Sequence, residues 1–267
     1  MTEKQQEKLK KLLSLMQQDL EFYEAKYDGK FAEEPYIGFG NRKTRCCNEY
    51  TLPIITCSKS CLTRCVNTCY VIWITTYPRK QSRRCQARNT VLRRIDPMAY
   101  YEHFFRVAES KKLPIRLSDG GDFENAQQAQ ACIAAARAHP SVQAIGYTKR
   151  IELLKEFLDS PANLHMRYSA WEGDEKNMEL AKSLGFDVTH VVYGSGNCPY
   201  QKSLELFKAR KKEIAKTLRA QGFDTKTANK MAEKEADAQI KIHHCANCAE
   251  KLIGCCAKGT IRFNVVK

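Results

Sequence analysis

The sequence lacks the long apolar runs that a helical membrane protein needs. No stretch approaches the roughly 20 predominantly apolar residues of a transmembrane helix, so we expect no membrane partner. The segment 1–11 is polar and has neither the apolar core nor the small-residue cleavage site of a secretory signal peptide. We therefore expect a cytoplasmic protein, a setting in which disulfides are disfavoured.

Signatures of several common protein classes are missing as well. The chain has no phosphate-binding loop of the G-x4-G-K-[ST] type, which argues against a P-loop nucleotide-binding protein. It has no internal repeat and no low-complexity tract. Its 267 residues, 43% of them apolar, are enough for one α/β domain with a sizeable core. A metal is therefore not required merely for folding.

Cysteine and positive charge, by contrast, are abundant. The chain has 13 cysteines, and because this number is odd and disulfides are not expected, metal binding explains them better. Thiolates favour zinc, copper(I) and iron–sulfur clusters. The net charge of +14 is compatible with an acidic partner, of which nucleic acid is the usual one, bound at the basic surface. The alternative is that the lysines only keep helix surfaces hydrated.

The first cysteine group recurs at every fourth position and consists of Cys57, Cys61, Cys65 and Cys69. On a straight helix these residues would spread over about 18 Å, which is too far for one cluster. We favour a loop in which three cysteines hold a [4Fe–4S] cluster and leave one iron open. The alternative is a zinc site, although zinc prefers paired C-x2-C or C-x4-C ligands.

A second cysteine group lies near the C-terminus. Its C-x2-C pair provides two ligands, one of the two adjacent cysteines that follow provides a third, and an isolated cysteine after a predicted strand provides a fourth. The candidate ligands are Cys198, Cys245, Cys248, Cys255 and Cys256, with His243 and His244 as alternatives. Four thiolates suit zinc and an auxiliary iron–sulfur cluster equally well.

The spacing of apolar residues predicts an α/β protein. Helical spacing over 2–27 predicts an amphipathic helix that packs on the main domain and ends at Asp28-Gly29. From residue 114 onward, short apolar runs alternate with helical segments, which indicates parallel βαβ units and a full or partial (β/α) barrel. The predicted strands are 70–77, 114–118, 144–148, 164–169, 188–194, 239–243 and 260–266. The predicted helices are 82–112, split at Pro97, then 124–138, 151–158 and 175–184.

These elements suggest three parts of the chain. Residues 1–27 form the N-terminal helix, residues 28–199 and 239–267 form the metal-binding α/β domain, and residues 200–238 form a charged helical insertion. Within the insertion, a surface hairpin that turns at Gly222 is a better interpretation than a DNA-binding helix-turn-helix. Residues 28–56 are expected to be loop.

Polar residues follow three consecutive predicted strands. Because ligands collect at the carboxyl ends of parallel strands, Asp119-Gly120-Gly121-Asp122 is a candidate binding turn. Its glycines would let a ligand approach the backbone, and Asp119 or Asp122 would hold an amine or a hydroxyl group. The alternative is that Asp122 only caps the next helix.

The next two units carry polar residues in the same place. Tyr147-Thr148-Lys149 and Ser169-Ala170-Trp171 follow their strands directly. We expect Tyr147, Lys149 and Ser169 to point into the same mouth as the aspartate turn, if the sheet is parallel.

The order of these motifs resembles the gene product 88 family of phage and mobile-element proteins. The resemblance runs from about residue 50 to the end and leaves the N-terminal helix and the insertion outside it. It is carried by Thr56-Cys57, Cys65 to Tyr70, Asn89, Arg116 to Phe123, Tyr147-Thr148-Lys149, Ser169, Cys198-Pro199 and Cys245 to Cys256.

The family layout is itself similar to that of radical S-adenosylmethionine enzymes. The resemblance implies that Cys57, Cys65 and Cys69 hold a reactive [4Fe–4S] cluster, with Cys61 as a substitute, and that 119–122 lines the amine of S-adenosylmethionine. It implies an auxiliary cluster, or zinc, at the later cysteines. The expected function is that of an iron–sulfur enzyme of this type. The alternative is a non-catalytic nucleic-acid-binding protein stabilised by zinc or a closed cluster.

Overall fold

A computed structural model describes residues 3–39, 46–58, 80–171, 173–192, 199–240 and 261–264. Its helices are α1 (Glu3–Tyr27), α2 (Lys80–Ile95), α3 (Pro97–Lys111), α4 (Ala126–Ala138), α5 (Glu175–Ser183), α6 (Pro199–Ala220) and α7 (Thr225–Gln239), with a 3-10 helix at Ile151–Phe157. Its strands are β1 (Cys47–Tyr50), β2 (Ile115–Gly120), β3 (Ala144–Thr148), β4 (Leu164–Ala170), β5 (Asp187–Val192) and β6 (Ile261–Asn264).

The described strands form one sheet in chain order, from β1 to β6, and every neighbouring pair is parallel. The predicted α/β class with parallel strands is therefore confirmed. Parallel neighbours are joined by right-handed crossovers, so strands that follow one another in order carry their connecting helices on one face. This is the strand order of a full or partial (β/α) barrel. A pairing of β6 with β1, which would close a barrel, is not among the described pairs.

The main core lies between the sheet and its helices. Alternate strand residues such as Leu117, Ala144 and Met166 belong to the same apolar cluster as Phe104 of α3 and Cys132 of α4. Cys132 is fully buried there, in agreement with its position in an alanine-rich helix. The helices thus cover one face of the sheet with an ordinary hydrophobic core.

Helix α1 agrees with the amphipathic helix predicted over 2–27. Leu12, Met16 and Leu20 are buried, at the spacing that places them on one side of the helix, and this side packs against α2. The helix ends where Asp28 and Gly29 adopt positive φ angles of 45° and 72°.

The predicted break at Pro97 is present. Pro97 is the first residue of α3, where its missing N–H is harmless, and the Asp96 side chain caps the helix by accepting a hydrogen bond from the Ala99 N–H at 2.9 Å. The sequence therefore ends one helix and begins another at this point.

Two local predictions are wrong. The loop expected over 28–56 contains strand β1, and the α-helix expected over 151–158 is a 3-10 helix. Of the strand expected over 239–243, Gln239 is instead the last residue of α7, and Ile240 caps that helix. Residues 241–243, and the strand expected over 70–77, lie outside the described residues.

Helices α6 and α7 form a hairpin with a turn at Gly222, whose φ is +95°. The hairpin has an apolar cluster of its own, separate from the main core. Its buried members are Phe207, Ile214, Ala215, Leu218, Ala228, Ala232 and Ala236. Within the described ranges, no helix is long and apolar enough to cross a bilayer.

Candidate functional site

The carboxyl ends of the parallel strands meet along one edge of the sheet. Tyr50, Gly120, Thr148 and Ala170 lie at or next to this edge, at the ends of β1 to β4. The segment 51–58, which leads to Cys57, also leaves β1 here. The strand-end residues singled out from the sequence therefore do lie along a common edge.

The glycine turn packs closely against the segment that leads to Cys57. Gly121 has a φ of +81°, and a Cβ at this position would clash with the hydroxyl oxygens of Thr51 and Thr56. The Thr51 hydroxyl donates a hydrogen bond to the Gly120 carbonyl at 3.0 Å. The space that Gly121 leaves is thus filled by the protein's own threonines.

Hydrogen bonds hold Cys57 at this edge. Arg150, just after β3, donates from Nη2 to the carbonyl oxygens of Thr56 and Cys57, both at 3.2 Å. The Thr56 hydroxyl accepts from the Asp122 N–H at 3.1 Å and donates to the Leu52 carbonyl at 2.8 Å. Cys57 is half-buried, and its backbone is fixed beside the aspartate turn.

Asp122 joins the ends of β2 and β3. Its carboxylate accepts hydrogen bonds from the Lys149 N–H at 2.9 Å and from the Phe123 N–H at 2.8 Å. Burial raises the pKa of Asp122 to about 6, although these hydrogen bonds and one from the Thr148 hydroxyl partly offset that rise. The alternative that Asp122 caps α4 is wrong, because the Asn125 side chain caps that helix.

A bulge places Asp119 next to its partners. Ser118 has a φ of +51°, and the register between β1 and β2 shifts between Asn48 and Tyr50. Asp119 consequently lies 3.0 Å from the Arg116 guanidinium. Burial, together with the charge of Asp119 and a hydrogen bond to it, raises the pKa of Tyr50.

Among the residues of β2 to β5 whose side chains the structure describes, the face of the sheet opposite the helices is mostly polar. Strand alternation places there Arg116, Tyr147, His165, Arg167, Ser169, Asp187 and Thr189, with Ile145 as an apolar member. We call this set the polar face. Parallel sheets covered by helices are normally apolar on both faces. A polar face on such a sheet therefore indicates a surface built for a ligand.

Several side chains of the polar face contact one another. The Arg167 guanidinium lies 3.1 Å from the Asp187 carboxylate, and burial followed by the charge of Arg167 lowers the pKa of His165. Lys149 Nζ donates to the Ser169 hydroxyl at 2.6 Å and to the Ser169 carbonyl at 3.2 Å. The structure thus brings the predicted residues Lys149 and Ser169 into direct contact.

Tyr147 lies on the same face, and the Arg116 guanidinium carbon is 6.0 Å from the centre of its ring. This contact links the end of β3 to the residues around Asp119. Four of the side chains expected from the sequence, those of Asp119, Tyr147, Lys149 and Ser169, therefore lie on or beside one polar surface.

The comparison with protein families assigns the chain to one family. The model of the gene product 88 family matches residues 12–252, which is more than half of the sequence. The chain belongs to the gene product 88 family. The match includes most of α1 and the whole α6–α7 hairpin, so the expectation that both lie outside the resemblance is wrong. It ends before Cys255 and Cys256. No curated protein and no solved structure matches the chain significantly.

Sequence reasoning missed two central residues of this gene product 88 protein. Glu49 of β1 and Arg93 of α2 are fully buried and form an ion pair at 3.1 Å. Arg93 also donates to the Asp122 carbonyl at 2.7 Å, and Glu49 accepts from the Ser118 N–H at 2.9 Å. The pair thus supports the bulge and the aspartate turn from below. Nothing in the local sequence marks either residue, because they are far apart in the chain.

Asn89, one of the residues that carried the resemblance, has a visible structural role. Its side-chain oxygen accepts from the Tyr36 N–H at 2.8 Å, and its side-chain nitrogen donates to the carbonyls of Tyr36 and Tyr50 at 2.8 and 3.0 Å. Asn89 therefore ties α2 to the end of β1.

Most predicted metal ligands of this gene product 88 protein lie outside the described ranges. Cys57 lies within them, whereas Cys61, Cys65, Cys69, Cys198, Cys245, Cys248, Cys255 and Cys256 do not. In the part of the chain that the structure describes, no three side chains of the histidine, cysteine and acidic types come together in a metal-binding arrangement.

Proposed function

We propose that this gene product 88 protein is an iron–sulfur enzyme of the radical S-adenosylmethionine type, with its reaction at the carboxyl edge of the sheet. One observation carries the proposal. The backbone of Thr56 and Cys57 is anchored beside the turn at Gly121 and Asp122, at the edge where parallel strands bind ligands.

The donor set fits an iron–sulfur cluster. Cys57 is half-buried, and three more thiols follow it at four-residue spacing in the sequence. In this proposal Cys57, Cys65 and Cys69 hold a [4Fe–4S] cluster, with Cys61 as the substitute ligand. Such a cluster, when bound, supplies one electron to S-adenosylmethionine and so makes radical chemistry accessible.

The residues around the cluster would bind and orient the cofactor and the substrate. Asp119 is the acidic side chain beside the aspartate turn that pairs with Arg116 of the polar face, and we assign it the amine of S-adenosylmethionine. Asp122 has both carboxylate oxygens bonded to backbone N–H groups, so it supports the turn together with Gly120 and Gly121. Tyr147, Lys149 and Ser169 would line the cofactor side of the same surface.

We assign a second metal site to the later cysteines. Cys198, Cys245 and Cys248 fall within the family match and would provide three ligands, and Cys255 or Cys256 would provide the fourth. Four thiolates would hold an auxiliary iron–sulfur cluster, with zinc as the alternative.

Anaerobic reconstitution tests the cluster. The full chain, treated with iron and sulfide under argon, should acquire visible absorption from thiolate-to-iron charge transfer and about four irons per cluster. Cys65→Ser and Cys69→Ser should each remove the part of the spectrum that belongs to the first cluster. Cys132→Ser is the matched control, because Cys132 is buried in α4 among apolar residues and should leave the spectrum unchanged. A colourless protein that binds only zinc would overturn the proposal.

A second candidate is a non-catalytic nucleic-acid-binding protein stabilised by zinc or a closed cluster. Its support is a row of exposed lysines on α6, namely Lys208, Lys212 and Lys216, which have no acidic partner within the described ranges. Their four-residue spacing places them along one side of the helix. DNA affinity that falls steeply as the salt concentration rises would support this function. The slope of that dependence should decrease when all three lysines are changed to Gln. Affinity that does not respond to salt would exclude it.

A further inference from the structure

No carboxylate among the described residues balances the positive charge of Lys149. In this part of the chain its ammonium group contacts neutral groups, namely the hydroxyl and carbonyl of Ser169 and the ring of Trp171, whose centre lies 5.2 Å away. Among the described residues it has no acidic partner within 4 Å. Ser169 and Trp171 therefore hold the ammonium group in place without neutralising its charge, so that it can bind an anion.

Two hydrogen-bonding groups close to Lys149 are buried without partners. Thr189 is only 2% exposed, and its hydroxyl forms no hydrogen bond within the described part of the chain. The indole N–H of Trp171 is shielded from solvent and also finds no acceptor among the described residues. A buried polar group without a partner destabilises a fold, so each such group requires an explanation.

These three groups surround Ser169. Lys149 is bonded to it, Trp171 lies two residues beyond it and directly after the end of β4, and Thr189 is its register partner on β5. Neighbouring strands lie roughly 4.8 Å apart, so Thr189 and Ser169 are adjacent on the polar face. The cluster thus combines one ammonium, one indole N–H and one hydroxyl.

The neighbouring acids do not neutralise this cluster. Asp187 lies on the polar face of the same strand as Thr189, but it pairs with Arg167 at 3.1 Å. Asp122 is bonded to the backbone of Lys149 rather than to its ammonium. A set of donors with one uncompensated positive charge is complementary to a negatively charged group that has several oxygen acceptors.

We propose that Lys149, Trp171 and Thr189 form an oxyanion site, which binds the phosphate or carboxylate group of a small molecule at the carboxyl edge of β3 to β5. Lys149 also lines the cofactor side in the proposed function, but the oxyanion site is argued from the contacts of these three residues alone, and its test needs neither an iron–sulfur cluster nor S-adenosylmethionine.

Calorimetric titration of the full chain, purified without added iron, tests the site. Inorganic phosphate and acetate serve as the two probes at constant ionic strength, because screening would otherwise mask the effect. Lys149→Met should weaken binding of the preferred anion by about tenfold or more. Lys155→Met is the matched control, since it removes the same charge from an exposed position in the 3-10 helix and should leave binding unchanged.

Thr189→Val gives a second and independent readout. If its hydroxyl serves the ligand, the variant should bind the anion several-fold more weakly while the ligand-free protein keeps or gains thermal stability. Preference for phosphate would identify a phosphorylated ligand, and preference for acetate a carboxylate. The proposal fails if neither anion binds, if Lys149→Met and Lys155→Met behave alike, or if Thr189→Val lowers the ligand-free stability. Should Lys149→Met not fold, the Thr189→Val result decides.

Discussion

The buried ion pair on the helix side of the sheet and the buried polar groups on the opposite face differ in how far the chain itself supplies their partners. On the helix side, Glu49 and Arg93 are fully buried, and each forms several polar contacts, although Nε of Arg93 has no partner among the described residues. On the polar face, Thr189 and His165 have side-chain atoms that are buried and lack a partner among the described residues. The ion pair stabilises the fold. The unpartnered groups of the polar face destabilise it, at positions where a ligand would complete the hydrogen bonds.

Removal of Arg93 should have the largest effect on stability. Arg93→Met leaves the Glu49 charge buried without a counterion, so we expect the free energy of unfolding to fall by about 3–5 kcal/mol. Urea denaturation followed by circular dichroism measures the change. Arg94→Met is the control, because Arg94 is partly exposed and its ion pairs should contribute about 1 kcal/mol or less. Equal losses of stability in Arg93→Met and Arg94→Met would show that the buried Arg93–Glu49 pair contributes no more than an exposed ion pair.

The aspartate turn should give the protein a specific pH dependence. The pKa of Asp122 is raised to about 6 in the folded chain, so the native state holds this proton more tightly than the unfolded state. Stability should therefore fall by about 3 kcal/mol from this group as the pH rises from about 4 to about 6, and then stay level.

Denaturation of the parent protein and of Asp122→Asn across this range measures that contribution. Other titrating groups are common to both proteins, so the difference between the two curves isolates Asp122. A difference that grows in the opposite direction, or that does not depend on pH, would show that Asp122 is an ordinary ionised carboxylate.

Two glycines with the same backbone conformation separate packing from strain. Gly121 and Gly173 both have a φ of +81°, but a Cβ at Gly121 meets two threonine hydroxyls, whereas at Gly173 no described atom lies within 4 Å of it. Both alanine variants carry the roughly 1–2 kcal/mol of left-handed strain. Gly121→Ala should lose about 2 kcal/mol more than Gly173→Ala because of overpacking. Similar melting curves for the two variants would mean that Thr51 and Thr56 move aside freely.

The smallest predicted effect compares two buried threonines directly. The Thr148 hydroxyl accepts from the Arg150 N–H at 3.0 Å and also bonds Asp122, whereas the Thr189 hydroxyl has no partner in the described part of the chain. Thr148→Val should therefore destabilise the protein by about 1–2 kcal/mol, and Thr189→Val should be neutral or stabilising. Thermal denaturation of the two ligand-free variants measures whether each substitution lowers or raises the stability. A loss of stability in both variants would contradict the predicted difference between Thr148 and Thr189.

Much of the sheet was predictable because its signals are local. Strands β3 and β4 and helices α4 and α5 were expected within a few residues, since apolar spacing and caps reside in the sequence itself. Strand β1 was not, because its four residues include the polar Asn48 and Glu49, and the partners that allow Glu49 to be buried, Arg93 and Ser118, are distant in the chain. A polar tetrapeptide of this kind is typical of a loop until Arg93 is in place.

The candidate site likewise combines features that could be predicted from local sequence with features that could not. That the residues after β2, β3 and β4 would share one edge followed from parallel strand order. The Ser118 bulge and the contact of Gly121 with two threonines could not be predicted, because both depend on the register of β1 against β2. The metal ligation by Cys65, Cys69 and the later cysteines stays a prediction.

The chain order of the strands has an evolutionary consequence. Asp119 of β2, Lys149 directly after β3 and Ser169 of β4 are each followed by a separate connection. Mutation can lengthen or replace one loop while the remaining strand ends keep their positions. Ligand preference could therefore diversify among related proteins one loop at a time, without a new scaffold.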